Sequence, residues 1–100
     1  MFVKIKKEYN TDEINPPSSL IIRGYLFKFQ FAWVQIDIFD DYKSNNFFCK
    51  FFKKKIIKEI ISECRKNKKN IYFYNISNKQ EKFFLKNGLI KINNVVYFEI

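Results

Sequence analysis

Between Phe47 and Lys66 apolar residues return at every fourth position, at Phe48, Phe52, Ile56, Ile60 and Cys64, with Ile57 and Ile61 widening the stripe. That is the spacing of a helix with one buried face. Strand-type segments stand on both sides of it. Before it, Val34, Ile36 and Ile38 alternate with Trp33, Gln35 and Asp37, the period of a strand with two different faces. After it, Ile71 to Ile76 is a short run of β-forming residues. A helix of this length between two strands must lay its stripe on their sheet, which restricts the chain to a layered α/β arrangement. Asn45 or Asn46 reads as the N-cap, and Arg65, Lys66, Lys68 and Lys69 gather at the C-terminal end, where the helix dipole favours cations.

The remaining elements follow from local signals. Phe2 to Ile5 reads as an edge strand. Glu8 to Ser19 reads as a polar loop stiffened by Pro16-Pro17, which no central strand accommodates. Leu20 to Phe29 reads as a second strand, joined to the Trp33–Phe39 strand near Gln30 without a Gly or Pro, so a bent or bulged hairpin is expected. Asp40 to Asn46 reads as a polar loop. Ser77 or Asn78 caps a short second helix, Gly88 ends it, and Ile90–Ile92 with Val95–Ile100 makes a last strand or a hairpin about Asn93-Asn94. The expected fold class is α/β (α+β): a single small domain over residues 1–100, with a mostly antiparallel sheet, one long helix and one short one. Residues 1–19 form an N-terminal strand and loop.

Composition narrows the function. A chain that is 47% hydrophobic and 20% aromatic is not a disordered one. No apolar run is long enough to span a bilayer, and the N-terminal MFVKIKKEY lacks the apolar core of a signal peptide, so a soluble cytoplasmic protein with no membrane partner is expected. There is no histidine, which excludes Ser-His-Asp and Cys-His nucleophilic catalysis. Cys49 and Cys64 alone are too few for a zinc site within the chain, so no metal is expected; they read as two reduced thiols within the long helix, Cys64 on its apolar side.

The net charge is +9, and +8 of it falls between Lys43 and Lys69, with ten basic residues against Glu59 and Glu63. Lys50, Lys53, Lys54 and Lys58 read as the exposed, partner-binding side of the long helix, suited to nucleic-acid phosphate or an acidic protein surface. Lysine far outnumbers arginine, which fits the codon bias of an AT-rich genome and argues against base readout, where the arginine fork is the favoured tool.

Two local runs carry a family resemblance. The order strand, long helix, strand, short helix, closing strands, with the run Phe83-Phe84-Leu85-Lys86-Asn87-Gly88-Leu89, resembles the GNAT family of N-acetyltransferases over roughly residues 33–100. In that family the last helix carries a Phe-Tyr-x-x-x-Gly-Phe pattern, whose Tyr commonly acts as general acid to the departing thiolate. Here Phe84 fills that place and has no proton to give. The family also holds the coenzyme A pyrophosphate on a glycine-rich loop at the start of the long helix. The corresponding run is Lys43-Ser44-Asn45-Asn46-Phe47-Phe48. Lys43 stands where the family has Arg or Gln, while Asn46 and Phe48 replace its glycines. Asp37, Asp40 or Asp41 would offer a base at the end of the preceding strand. The family's two N-terminal helices are replaced by the Glu8–Ser19 segment.

The resemblance therefore implies a pseudoenzyme: no catalytic residues, no cofactor, and a role as a protein-binding module. It is similar in size and element order to small anti-CRISPR proteins of this fold, which implies a phage or mobile-element inhibitor docking on a protein or nucleoprotein complex. An active minimal N-acetyltransferase, with acetyl-CoA held by strand pairing and the 43–48 run, is the alternative. A small basic nucleic-acid-binding protein is a third.

Overall fold

A computed structural model describes residues 3–10 and 18–100. The chain forms β1 (Val3–Asn10), β2 (Ser19–Leu26), β3 (Phe29–Asp37), β4 (Tyr42–Cys49), α1 (Lys54–Asn67), β5 (Ile71–Phe73), α2 (Asn78–Lys86), β6 (Ile90–Ile92) and β7 (Val95–Phe98). The strands make one sheet in the order β1-β2-β3-β4-β5-β7-β6. Every pairing is antiparallel except β4 with β5, which α1 connects as a crossover. The fold is thus a single α+β domain with a mostly antiparallel sheet and two helices, the class expected from the sequence.

Local chemistry explains the ends of α2 and the last hairpin. The Ser77 hydroxyl accepts the Gln80 N–H at 3.2 Å and the Gln80 side chain accepts the Ser77 N–H at 2.9 Å, a reciprocal capping box. Gly88, at φ 98°, follows the last turn, and Asn93, at φ 56°, makes the tight turn between β6 and β7. The β2–β3 turn falls at Phe27-Lys28 rather than at Gln30, with Phe27 itself at φ 56°, and a register shift at Gly24/Tyr25 supplies the expected bulge.

The main correction lies between Asp40 and Lys53. Tyr42 to Cys49, expected as the end of a polar loop and the first turn of the helix, is strand β4, while Asp40 and Asp41 stay in the connection before it. Ala32, Trp33 and Val34 of β3 pair with Cys49, Phe48 and Phe47. Asn45 and Asn46 therefore cap nothing, and Cys49 lies in a strand. The helix begins at Lys54 after an extended Lys53 that offers no side-chain cap. Phe47 to Cys49 satisfies either period, and pairing with the exposed edge of β3 decides for strand. The helical stripe that remains, Ile56, Ile57, Ile60 and Cys64, is buried as expected. β1 runs on through Glu8 to Asn10, beyond the expected Ile5. Pro16-Pro17 lie outside the described residues.

Both helices lie on one face of the sheet. Leu20, Ile22, Val34, Ile36, Tyr42, Ser44, Ile71 and Phe73 point into that face and are buried, joined by α1's stripe and by Phe83 and Phe84 of α2. Their alternate neighbours, among them Lys6, Arg23, Trp33, Phe48 and Tyr72, point the other way.

Candidate functional site

β4 and β5 part company within the domain. They pair over Tyr42–Ser44 and Ile71–Phe73, and the Tyr74 N–H still reaches the Ser44 carbonyl at 2.9 Å. Beyond that point β4 runs on to Cys49 alone on this edge. Aromatic rings close the opening. Phe84 stacks on Phe73 with centroids 4.5 Å apart and meets Phe47 edge-on at 4.8 Å. Gln80, in the first turn of α2, donates its amide to the Phe47 carbonyl at 3.1 Å, so the strand edge is occupied from within the chain.

Outside this plug lies a groove of about 740 Å³ between the start of α1 and α2. Phe52, Phe83 and Leu85 give it an apolar floor, and Lys54, Lys79, Lys82 and Lys86 stand around it, with no acidic residue among the described residues of the lining. Phe52 and Phe83 are packed ring to ring at 5.1 Å. The first turn of α1 contains no acidic residue, so its dipole adds to the positive potential. An elongated acidic or anionic group with an apolar side fits this chemistry.

The lysines singled out in the sequence do not share one face. Lys54 is in the groove. Lys50 precedes the helix and lines a separate depression with Phe27, Phe29 and Phe51. Lys58 lies farther along α1, beside Arg65 and Lys66. Lys53 is the half-buried residue just before the helix. The other wall of the groove was missed, although Lys79, Lys82 and Lys86, spaced three and four apart, mark one side of a helix.

The 43–48 run also differs from expectation. Lys43, Ser44, Asn45, Asn46, Phe47 and Phe48 are consecutive residues of β4, so they form no loop at a helix N-terminus. The connection that does precede α1 is Lys50-Phe51-Phe52-Lys53, which has no glycine. Asp37, the last residue of β3, accepts the Phe39 N–H at 3.0 Å, and Asp40 and Asp41 lie on the exposed β3–β4 connection. Among the described residues no three His, Cys, Asp or Glu side chains gather into a metal-holding group, and no helix is long and apolar enough to cross a membrane.

One charged cluster lies away from the groove, under β1. Glu63 of α1 is 2% exposed. Its carboxylate takes the Lys7 ammonium at 2.6 Å, the Tyr9 hydroxyl at 3.3 Å and the Asn67 amide at 3.3 Å, and Lys7 also reaches Glu59 at 2.8 Å. Burial pushes the Glu63 carboxyl up, but the Lys7 hydrogen bond and charge outweigh it and hold the group below its ordinary value. Hydrogen bonds to Glu59 and Glu63 raise Lys7, and burial raises Tyr9 and Tyr42. Burial also pushes the Cys64 thiol up to about 12, which removes it as a nucleophile near neutral pH. Lys7 and Tyr9 of β1 both hold Glu63 of α1, so the cluster reads as a clamp between β1 and α1. Comparison of the chain with protein-family models, curated proteins and solved structures finds no match.

Proposed function

We propose that this protein is a non-catalytic binding module on a reduced GNAT-like fold. It docks on an acidic surface of a larger, nucleic-acid-handling complex, as a phage or mobile-element inhibitor would. The observation that carries the reading is the plug between β4 and β5. In the resemblance, an acyl cofactor would pair with the strand before the long helix and rest its phosphates on glycine N–H groups. Here Gln80 takes the Phe47 carbonyl, Phe47, Phe73 and Phe84 fill the space beside it, and Phe51-Phe52 stand in the glycine-free connection. Phe84, fully buried and without an ionisable proton, leaves the general-acid place empty of chemistry.

The lysine-walled groove is the docking surface of this reading. Its exposed apolar side chains, Phe52 and Leu85, anchor the partner, while Lys54, Lys82 and Lys86 raise the association rate. Calorimetry with acetyl-CoA tests the first half of the proposal. No saturable heat is expected at millimolar ligand, and a micromolar dissociation constant would put a minimal N-acetyltransferase in place of the binding module. Affinity capture from the native host, followed by association kinetics with Lys54→Glu/Lys82→Glu/Lys86→Glu, tests the second half. Unchanged association at low salt would overturn it.

A further inference from the structure

The sheet has a second face, and no described element covers it. Lys7 and Tyr9 of β1 reach Glu63 on α1, and Phe47 and Phe73 pack on Phe84 of α2. The residues that alternate with them therefore point away from both helices. The strand register arranges these outward residues in rows. One row crosses four strands as Lys6, Arg23, Trp33 and Phe48. Another, toward the opposite edge, runs Lys43, Tyr72 and Tyr97, with the two tyrosine rings stacked at 5.8 Å. The first row begins in cations and ends in aromatic rings; in the second, Asp37 stands opposite Lys43 on one side of the tyrosine pair and Ile90 lies on the other.

We infer that this open face, centred on Trp33 and Phe48 and flanked by Lys6, Arg23, Lys43 and the Tyr72–Tyr97 pair, binds single-stranded nucleic acid. The inference is independent of the groove reading and concerns the opposite side of the molecule. Trp33 and Phe48 are opposite residues on adjacent strands, roughly 5 Å apart, close enough to receive neighbouring bases. Aromatic side chains on an open sheet are how one common module stacks two or three bases of a single strand.

The charges match a phosphate backbone. Among the described residues this face carries Lys4, Lys6, Arg23 and Lys43 against Glu8 and Asp37, a net of +2; Arg23 and Glu8 pair with each other at 2.9 Å and Asp37 stands opposite Lys43 in the register, so Lys4 and Lys6 are the cations most available to phosphate. Phe48 is 52% exposed, a large ring on a strand with nothing described above it. Stacking of this kind tolerates any base, which suits a face with lysines and one arginine rather than a set of base-reading forks.

Trp33 is the chain's one tryptophan, so it reports directly on the face. Titration with a twelve-nucleotide oligo-dT and an oligo-rU should quench its fluorescence saturably, with affinity that falls steeply as salt is raised. By anisotropy of a labelled oligonucleotide, Phe48→Ala should weaken binding about tenfold or more, the alanine-substitution scale of one stacked base. Lys6→Gln/Lys43→Gln should weaken it and lower the salt slope. Lys66→Gln/Lys68→Gln, at the C-terminal end of α1 and outside both this face and the groove, should stay within about twofold of the parent. Circular dichroism and thermal melting confirm that the variants are folded, and Tyr97→Ala serves as a second stacking variant if Phe48→Ala is not.

Absence of quenching at low salt would overturn the inference. So would equal affinity of the parent, Phe48→Ala and Tyr97→Ala proteins, which would reduce binding to diffuse charge. A dimer in sedimentation that Phe48→Ala dissociates, with no oligonucleotide effect on Trp33, would assign the face to a second copy of the chain instead.

Discussion

Replacing Lys7 by Met should uncover the Glu63 carboxylate. Glu63 is 2% exposed and Lys7 is its nearest cation, at 2.6 Å; without it the buried charge keeps only the two 3.3 Å bonds from Tyr9 and Asn67. Breaking a buried pair costs about 3–5 kcal/mol when the surviving charge is left uncompensated. The Lys7 side chain is 35% exposed, so water reaches that end and screens it. A loss of about 2–3 kcal/mol at neutral pH is expected for Lys7→Met.

The sign of the pH dependence follows from the direction of each shift. In the parent, Glu63 titrates below its unfolded value, so its contribution is present above the unfolded carboxylate pKa and is lost as pH falls. In Lys7→Met, burial, the largest influence, is opposed by the Lys66 charge and the Tyr9 hydrogen bond without the Lys7 contribution, so the Glu63 pKa rises and the variant gains stability as the carboxyl takes up a proton. The gap between the two proteins should therefore be widest near pH 7 and narrow toward about pH 4, close to the unfolded carboxylate value. Urea unfolding followed by Trp33 fluorescence at both pH values measures it. The double variant Lys7→Met/Glu63→Leu should recover most of the loss, since the buried charge is gone and the one that remains, Glu59, reaches water. An unchanged midpoint for Lys7→Met at pH 7, or an equal deficit at both pH values, would refute the clamp.

Ile56→Asp should cost several kcal/mol, because a carboxylate would enter a fully buried position of α1 with no partner; a folded variant with the parent's melting temperature would contradict the packing of this helix on the sheet. At Gly24 an added Cβ would stand 2.8 Å from the Phe31 ring, so Gly24→Ala should lose about 1–3 kcal/mol in urea unfolding, unless the ring can turn aside. Of the lysines first read as one face, only Lys54 lies in the groove. Lys54→Glu should slow association with the captured partner, whereas Lys50→Glu should leave the rate within about twofold, and equal effects would disperse the docking surface over the molecule.

What the sequence determined by itself is local in origin. Ser77 and Gln80 close a capping box three residues apart, Gly88 ends the same helix, Asn93 tolerates a left-handed turn, and Ile56, Ile60 and Cys64 recur on one side of α1. Each signal is complete within a few residues, so its physics needs no distant partner, and the α+β class follows from their order. The stretch from Tyr42 to Lys53 is different. Phe47 to Cys49 fits a helix stripe and a strand face equally well, and only the hydrogen bonds offered by β3 from Ala32 to Val34 decide between them. The burial of Glu63 likewise depends on Lys7, 56 residues away. The groove needs two helices brought side by side, and the open face needs the register of six strands. None of these is written in a local period, because their energies come from groups that meet only when the chain is folded.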